Sequence, residues 1–96
     1  MKALALVTHN KDKQIKWLFD RILAMIVYDV EIYVVFVNDG CHQLVENKIW
    51  KALPVYGVDE LFDYNATIKR ENSLITSKSL STQELKNMIA QADIIL

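Results

Sequence analysis

One cysteine and two histidines are the residues of this chain most suited to covalent chemistry. His9 follows the first apolar run of the sequence, and Cys41 and His42 follow a turn that ends the second run. A cysteine thiolate is a nucleophile, and an imidazole can accept or donate the proton that a thiol reaction exchanges. We therefore take Cys41, His42 and His9 as the candidate reactive residues.

Cys41 is predicted to lie in the first turn of a helix that begins after Gly40. The free N–H groups and the positive dipole end of a helix favour a thiolate and lower the thiol pKa, whereas the nearby carboxylate of Asp39 opposes that shift. The alternative is that Cys41 acts as a small hydrophobic residue, partly buried at the start of the helix. The sequence leaves both interpretations open.

Two imidazoles and one thiol fall short of the ligand set of a closed metal site, so we expect no bound metal. Because Gly40 and Gly57 are the only glycines, neither a G-x-G-x-x-G motif nor a P-loop can be written, and we expect no cofactor. Ligands of parallel sheets bind beyond the carboxyl ends of the strands. The turn of Asn38, Asp39 and Gly40 is therefore the predicted position for a small-molecule ligand.

The elements that would position these residues alternate between strands and helices. Apolar runs over Ala3–Val7 and Ile32–Val37 are typical of strands buried on both faces. Apolar residues at helical spacing predict a helix over Ile15–Ile26, and a weaker stripe predicts another over Cys41–Leu53. Pro54–Val58 has the pattern of a third short strand.

In the second half, Asp59 is predicted to cap a helix, with Glu60 and Asp63 as favourable charges of its first turn. Ser73–Leu80 contains a possible fourth strand. Ser81–Glu84 has the form of a capping box before a final helix, and Ala92–Leu96 reads as a last strand. The alternation predicts a single domain over residues 1–96, a small three-layer α/β/α domain with a mostly parallel sheet of about five strands.

Composition excludes several classes of function. The 96 residues are 52% hydrophobic and 24% charged, with a net charge of -1. Each half of the chain carries nearly equal numbers of acidic and basic side chains, so we expect no binding to nucleic acid or to a membrane surface. The single cysteine rules out an internal disulfide, and no apolar stretch is long enough to span a bilayer. These observations predict a cytoplasmic protein.

Three stretches together resemble the DsrE/DsrF/DsrH superfamily, which includes the TusB, TusC and TusD sulfur-relay subunits. The segment of residues 32–44, an apolar strand followed by a D-G turn and Gln43-Leu44, is similar to the DsrF/TusC form. Residues 54–61 are more similar to DsrH/TusB proteins, and residues 84–96 resemble the DsrE and DsrF C-terminus. The resemblance implies a flavodoxin-like fold and leaves the branch open.

The resemblance also implies assembly, either as a homo-oligomer (dimer, trimer or hexamer) or as a hetero-oligomer with related sulfur-relay subunits. The limited interior of so small a domain independently favours burial of apolar residues between subunits. Candidate interface residues are Trp17, Tyr28, Tyr33 and Trp50.

Sulfur-carrying members of the family bear a persulfide on a cysteine near the third-strand segment. This chain has Asp63-Tyr64-Asn65 there, so that role does not transfer. The resemblance therefore implies a structural partner subunit, which we favour, or a sulfurtransferase-type carrier that uses Cys41, with His42 or His9 handling the proton. The alternative from another class is a non-covalent small-molecule-binding module.

Overall fold

The computed structural model of the protein describes residues 1–66, 68 and 73–96. The strands are β1 (Lys2–Val7), β2 (Glu31–Val37), β3 (Leu61–Tyr64), β4 (Lys78–Ser79) and β5 (Ile94–Ile95). The α-helices are α1 (Asp12–Val27), α2 (Gln43–Glu46) and α3 (Thr82–Gln91). Two 3-10 segments, Asn38–His42 and Lys48–Tyr56, flank α2 in the connection from β2 to β3. No helix in this described part of the chain is both long and apolar enough to cross a membrane.

The five strands form one parallel sheet in the order β4-β3-β2-β1-β5. The longest pairing joins β1 to β2, from Lys2 opposite Glu31 to Val7 opposite Phe36. Sequential strands β1 to β4 are neighbours, and only β5 lies on the other side of β1. The predicted α/β class, with helices on both faces of a parallel sheet of about five strands, is confirmed.

The first face of the sheet carries the larger core. Trp50 is fully buried there and makes edge-on ring contacts with Phe36 at 5.0 Å and with Phe19 at 5.4 Å between ring centroids. Ile15 and Ile22 of α1 pack on the same face. Trp50 is therefore a core residue, which removes it from the candidate interface residues.

The second face is covered more thinly. Leu4, Val35 and Phe62 form its buried centre, and the contacts above them come from α3 and its flanks. No residue of α3 is buried, although Leu85 and Met88 are half-buried against the sheet. The helix begins at the predicted capping box, which is confirmed: Ser81 Oγ accepts from the Glu84 N–H, and the Glu84 carboxylate accepts from the Ser81 N–H.

Between β2 and β3 the structure departs from the predicted elements. The helix expected over Cys41–Leu53 is interrupted at Asn47, whose backbone is extended (φ -120°, ψ 112°) and whose side chain caps the following 3-10 segment. The strand expected over Pro54–Val58 is wrong, because its first residues finish that 3-10 segment. Gly57 ends it with a left-handed backbone (φ 97°).

The helix expected from Asp59 is also wrong over Leu61–Tyr64, which form β3 and pair with β2. Part of that expected helix falls on residues 67 and 69–72, which lie outside the described residues. The possible fourth strand within Ser73–Leu80 is present as the two residues of β4.

Candidate functional site

The turn after β2 packs directly onto the end of β1. A Cβ atom at Gly40 would lie 1.7 Å from the carbonyl oxygen of Val7, so only a glycine fits at this point. Asn38 has a left-handed backbone (φ 52°), and its side-chain oxygen accepts a 2.7 Å hydrogen bond from Asn65 after β3. Asp39 is exposed. The predicted ligand turn is thus anchored to both neighbouring strand ends.

Cys41 follows this turn into the protein interior. Its side chain is fully buried, and Sγ donates a hydrogen bond to the Phe36 carbonyl oxygen at 3.2 Å. A longer contact of 3.9 Å reaches the Tyr64 carbonyl oxygen. The thiol therefore lies beneath the carboxyl ends of β2 and β3, with carbonyl oxygens as its polar neighbours.

The environment of Cys41 raises its thiol pKa. Burial is the main cause, because a thiolate loses more hydration energy than a thiol does, and the negative charge of Asp63 adds to the effect. This is opposite to the direction predicted from a helix N-terminus. The physical reason is that the loss of solvent and the charge of Asp63 outweigh the hydrogen bond with the Tyr64 backbone, which acts to lower the pKa.

Asp63 is a buried acid that the sequence reasoning assigned to the wrong element. It lies in the middle of β3 at 2% exposure, and its two carboxylate oxygens accept hydrogen bonds from Ser77 Oγ at 2.6 Å and Ser79 Oγ at 2.7 Å. One sequence signal could have found it. Ser77 and Ser79 are two residues apart, so in an extended chain their side chains point the same way and can donate to one carboxylate. Asp63 is thus the acidic residue whose negative charge raises the pKa of Cys41.

The three predicted reactive residues differ in their burial and surroundings. His42 is half-buried beside Cys41 in the chain, whereas His9 is exposed in the loop after β1. His9 lines a surface cavity together with Trp17 and Leu96, and Cys41 does not line that cavity. The strands β1 and β2 are neighbours, as predicted. Cys41 is nevertheless buried in the core, whereas His9 is exposed at the surface.

Gln43 is a further residue of this region that the sequence reasoning missed. It is 2% exposed, and its Oε1 accepts from Trp50 Nε1 at 3.1 Å and from Asn47 Nδ2 at 2.9 Å. Its Nε2 donates to the side-chain oxygen of Asn10 in the loop after β1. This network fixes the loops after β1 and β2 to each other. No group of three or more His, Cys, Asp or Glu side chains among the described residues could hold a metal ion.

Comparison with known proteins identifies the family. No protein-family model matches the chain. The chain is similar to the TusC homolog of Aliivibrio fischeri, at 32% identity over 94 residues, which covers 80% of each chain. The chain belongs to the TusC/DsrF-like sulfur-relay family. This finding selects the DsrF/TusC branch over the DsrH/TusB branch and gives, in general terms, a sulfur-relay subunit.

For a TusC/DsrF-like protein, the chemistry of sulfur transfer bears directly on Cys41. It is the one cysteine of the sequence, so a covalently held sulfur would have to be attached there. Its full burial and raised pKa both disfavour reaction at this thiol in the folded protein.

Proposed function

We propose that this TusC/DsrF-like protein is a partner subunit that completes a cytoplasmic sulfur-relay oligomer and carries no sulfur itself. The observation that supports the proposal is the burial of Cys41, whose Sγ has no exposed surface and donates to a backbone carbonyl.

Sulfur transfer to Cys41 would require its thiolate to attack the outer sulfur of a donor persulfide. A new S–S bond would form on Cys41, the S–S bond of the donor would break, and the donor would leave as a thiolate. Cys41 Sγ is buried beneath the carboxyl ends of β2 and β3, so a donor persulfide cannot reach it in the folded protein. A thiolate would also face the carbonyl oxygen of Phe36 and the negative charge of Asp63, both of which repel it. The fold therefore favours a structural thiol.

A partner subunit needs an apolar surface through which it assembles. Val27 ends α1 and Tyr28 caps it, at 81% and 80% exposure, and Val55 and Tyr56 end the second 3-10 segment at 84% and 52% exposure. Both pairs precede a strand, β2 or β3, and these strands are neighbours, so the four side chains lie at the amino end of the sheet. We call this surface the amino-end patch. Exposed aromatic side chains of this kind are enriched at subunit interfaces.

The mass of the intact protein after treatment with a small-molecule persulfide tests the absence of a carrier role. We expect the folded protein to gain nothing, and the guanidinium-unfolded protein to gain one sulfur, about 32 Da, which shows that the reagent is active. Cys41→Ser serves as the control that should gain nothing in either state. A gain of one sulfur by the folded wild-type protein, absent in Cys41→Ser, would make Cys41 an acceptor and overturn the proposal.

Light scattering and native mass spectrometry test the assembly. We expect a defined oligomer, alone or with related sulfur-relay subunits, that the double substitution Tyr28→Ser with Val55→Ser weakens by about tenfold or more. Leu74→Ser is the matched control, because Leu74 is an exposed apolar residue whose N–H donates to the Leu44 carbonyl, beyond the carboxyl end of β2 and away from the amino-end patch. A wild-type protein that stays monomeric alone and with such subunits would contradict a partner role.

A further inference from the structure

The order of the strands creates a switch point between β1 and β5. From β1 the chain runs through β2 and β3 to β4, with the connections from β1 to β3 packed on the first face. It then returns along the second face through α3 and adds β5 on the opposite side of β1. In open parallel sheets, ligands bind outside the carboxyl ends of the strands at the point where the order reverses.

A surface cavity lies at this position. Its volume is about 300 Å³, at the lower end of the range of small-molecule sites. The residues that line it come from the end of β1, from the residue after β5, and from α1: Leu6, Thr8, His9, Gln14, Trp17, Leu18, Arg21 and Leu96. We call it the switch-point crevice.

The crevice combines a cation with apolar walls. The Arg21 guanidinium carbon lies 4.8 Å from the centroid of the Trp17 ring, and the indole is 64% exposed. Within the described part of the chain, no carboxylate pairs with Arg21. A guanidinium held by stacking presents a planar fork of N–H donors that matches a carboxylate or a phosphate.

The remaining lining residues agree with that chemistry. His9, Thr8 and Gln14 bring further side-chain donors to the same cavity, and none of the described residues that line it is acidic. Leu6, Leu18 and Leu96 give it an apolar wall next to the indole. A ligand that fits both parts has an anionic group and a flat apolar body.

We propose that the switch-point crevice binds a small organic anion, with the anionic group on Arg21 and the flat body against Trp17 and the leucines. This site is independent of the partner role proposed above, because neither Cys41 nor the amino-end patch contributes to it.

Titration of the full chain with phenyl phosphate, followed by the indole N–H signals in NMR spectra, tests the proposal. Trp17 and Trp50 are the two tryptophans, and the buried Trp50 indole, bonded to Gln43, is an internal reference. We expect a saturable shift of the Trp17 signal and of the amides of residues 6–9, with Trp50 unmoved. Benzyl alcohol and inorganic phosphate, which lack the charge or the flat body, should bind at least about tenfold more weakly, a difference of about 1.4 kcal/mol.

Two variants of α1 identify the cation. Arg21→Gln should weaken phenyl phosphate about tenfold or more, whereas Lys16→Gln, which removes a charge of the same helix outside the crevice, should leave it unchanged. Failure of phenyl phosphate to shift Trp17 would overturn the proposal. So would equal binding of either control ligand, or equal weakening by both variants.

Discussion

At the scale of single residues, the burial of Cys41 depends on the glycine before it. Gly40 has no side chain to keep its backbone away from the Val7 carbonyl, so the turn lies flat against the end of β1. The next residue is then directed inward, where its Sγ bonds to the Phe36 carbonyl. The absence of one Cβ atom thus contributes to the burial of the only thiol of the chain.

Substitution of Gly40 by alanine should destabilise the protein strongly. The added Cβ would meet the Val7 carbonyl oxygen at 1.7 Å, and because this neighbour is backbone, the turn itself must move. We expect a loss of about 2 to 4 kcal/mol in the free energy of unfolding, measured by urea denaturation. Gly57→Ala is the matched control. Its Cβ would meet no atom of the described residues within 4 Å, so its left-handed backbone, φ 97°, should account for the cost of about 1 to 2 kcal/mol. Equal losses in the two variants would contradict this account.

Alkaline pH should reveal the raised pKa of Cys41. The folded protein holds the thiol proton more tightly than the unfolded chain, in which the pKa has its ordinary value of 9.0. The stability from this group is therefore complete below pH 9.0 and is lost as the pH rises through the folded pKa. The free energies of unfolding of wild type and Cys41→Ala should therefore approach each other as the pH rises above 9.0. Tyr33, whose pKa is also raised, is present in both proteins and cancels in the comparison. A constant difference across the range would show that burial leaves the pKa unchanged.

At the scale of elements, the sequence correctly predicted the strands and helices that local patterns determine. β1, β2, α1 and α3 follow from uninterrupted apolar runs, helical spacing or a capping box, all of which act over a few residues. For the predicted reactive residues, the position of Cys41 and His42 after β2 could be predicted from the sequence. The burial of the thiol and the exposure of His9 could not, because neither has a local signal in the sequence.

The segment from Pro54 to Tyr64 was misassigned because distant partners decide its structure. Val55 and Tyr56 favour a strand by residue type. They instead finish a 3-10 segment, because Trp50 and Leu53 of that segment are buried in the core and Gly57 ends it. Asp63 argues against a buried strand until Ser77 and Ser79 supply its hydrogen bonds from 14 and 16 residues away.

Removal of the capping box should fray α3. Ser81→Ala deletes the acceptor of the Glu84 N–H, and we expect a loss of about 1 kcal/mol in the free energy of unfolding. Lys86→Ala, on the exposed side of the same helix and outside the box, is the comparison variant. An effect of Ser81→Ala no larger than that of Lys86→Ala would contradict the role of the cap.

Acidification should weaken the same box. The pKa of Glu84 is lowered below its ordinary 4.5, because the Ser81 N–H and hydroxyl stabilise the carboxylate. The contribution is therefore present above pH 4.5 and is lost as the pH falls through the folded pKa. Helix content of wild type and Glu84→Gln, followed by circular dichroism, should differ near neutral pH and approach each other in acid. A gap that widened in acid would show the opposite sign.

At the scale of the whole molecule, the two faces of the sheet are unequally covered. The first face has a continuous core around Trp50, whereas the second relies on α3, a helix without a single buried residue. Helices with little buried surface open at a lower free energy than the strands beneath them. The second face is therefore the one from which the fold should loosen first.

Amide hydrogen exchange should resolve this difference. We expect the amides of α3 to exchange through local opening, faster than those of β1 and β2, whose protection should approach that of global unfolding. α1, which buries Ile15 and Ile22, is the internal control and should follow the strands. Equal protection of α3 and α1 would show that the thin face is as stable as the thick one.

The pairing of β1 with β5 also matters for how the protein is made. β1 precedes the other four strands of the sheet in the chain, and its outer edge is completed by β5, which follows them. The Lys2 N–H donates to the Asp93 carboxylate across 91 positions, and the Leu96 N–H donates to the Leu4 carbonyl. Throughout translation the growing polypeptide therefore exposes one unpaired apolar edge, which is open to wrong pairing until β5 arrives. The outer edge of β1 is therefore paired only after β2, β3, β4 and α3 have all been synthesised.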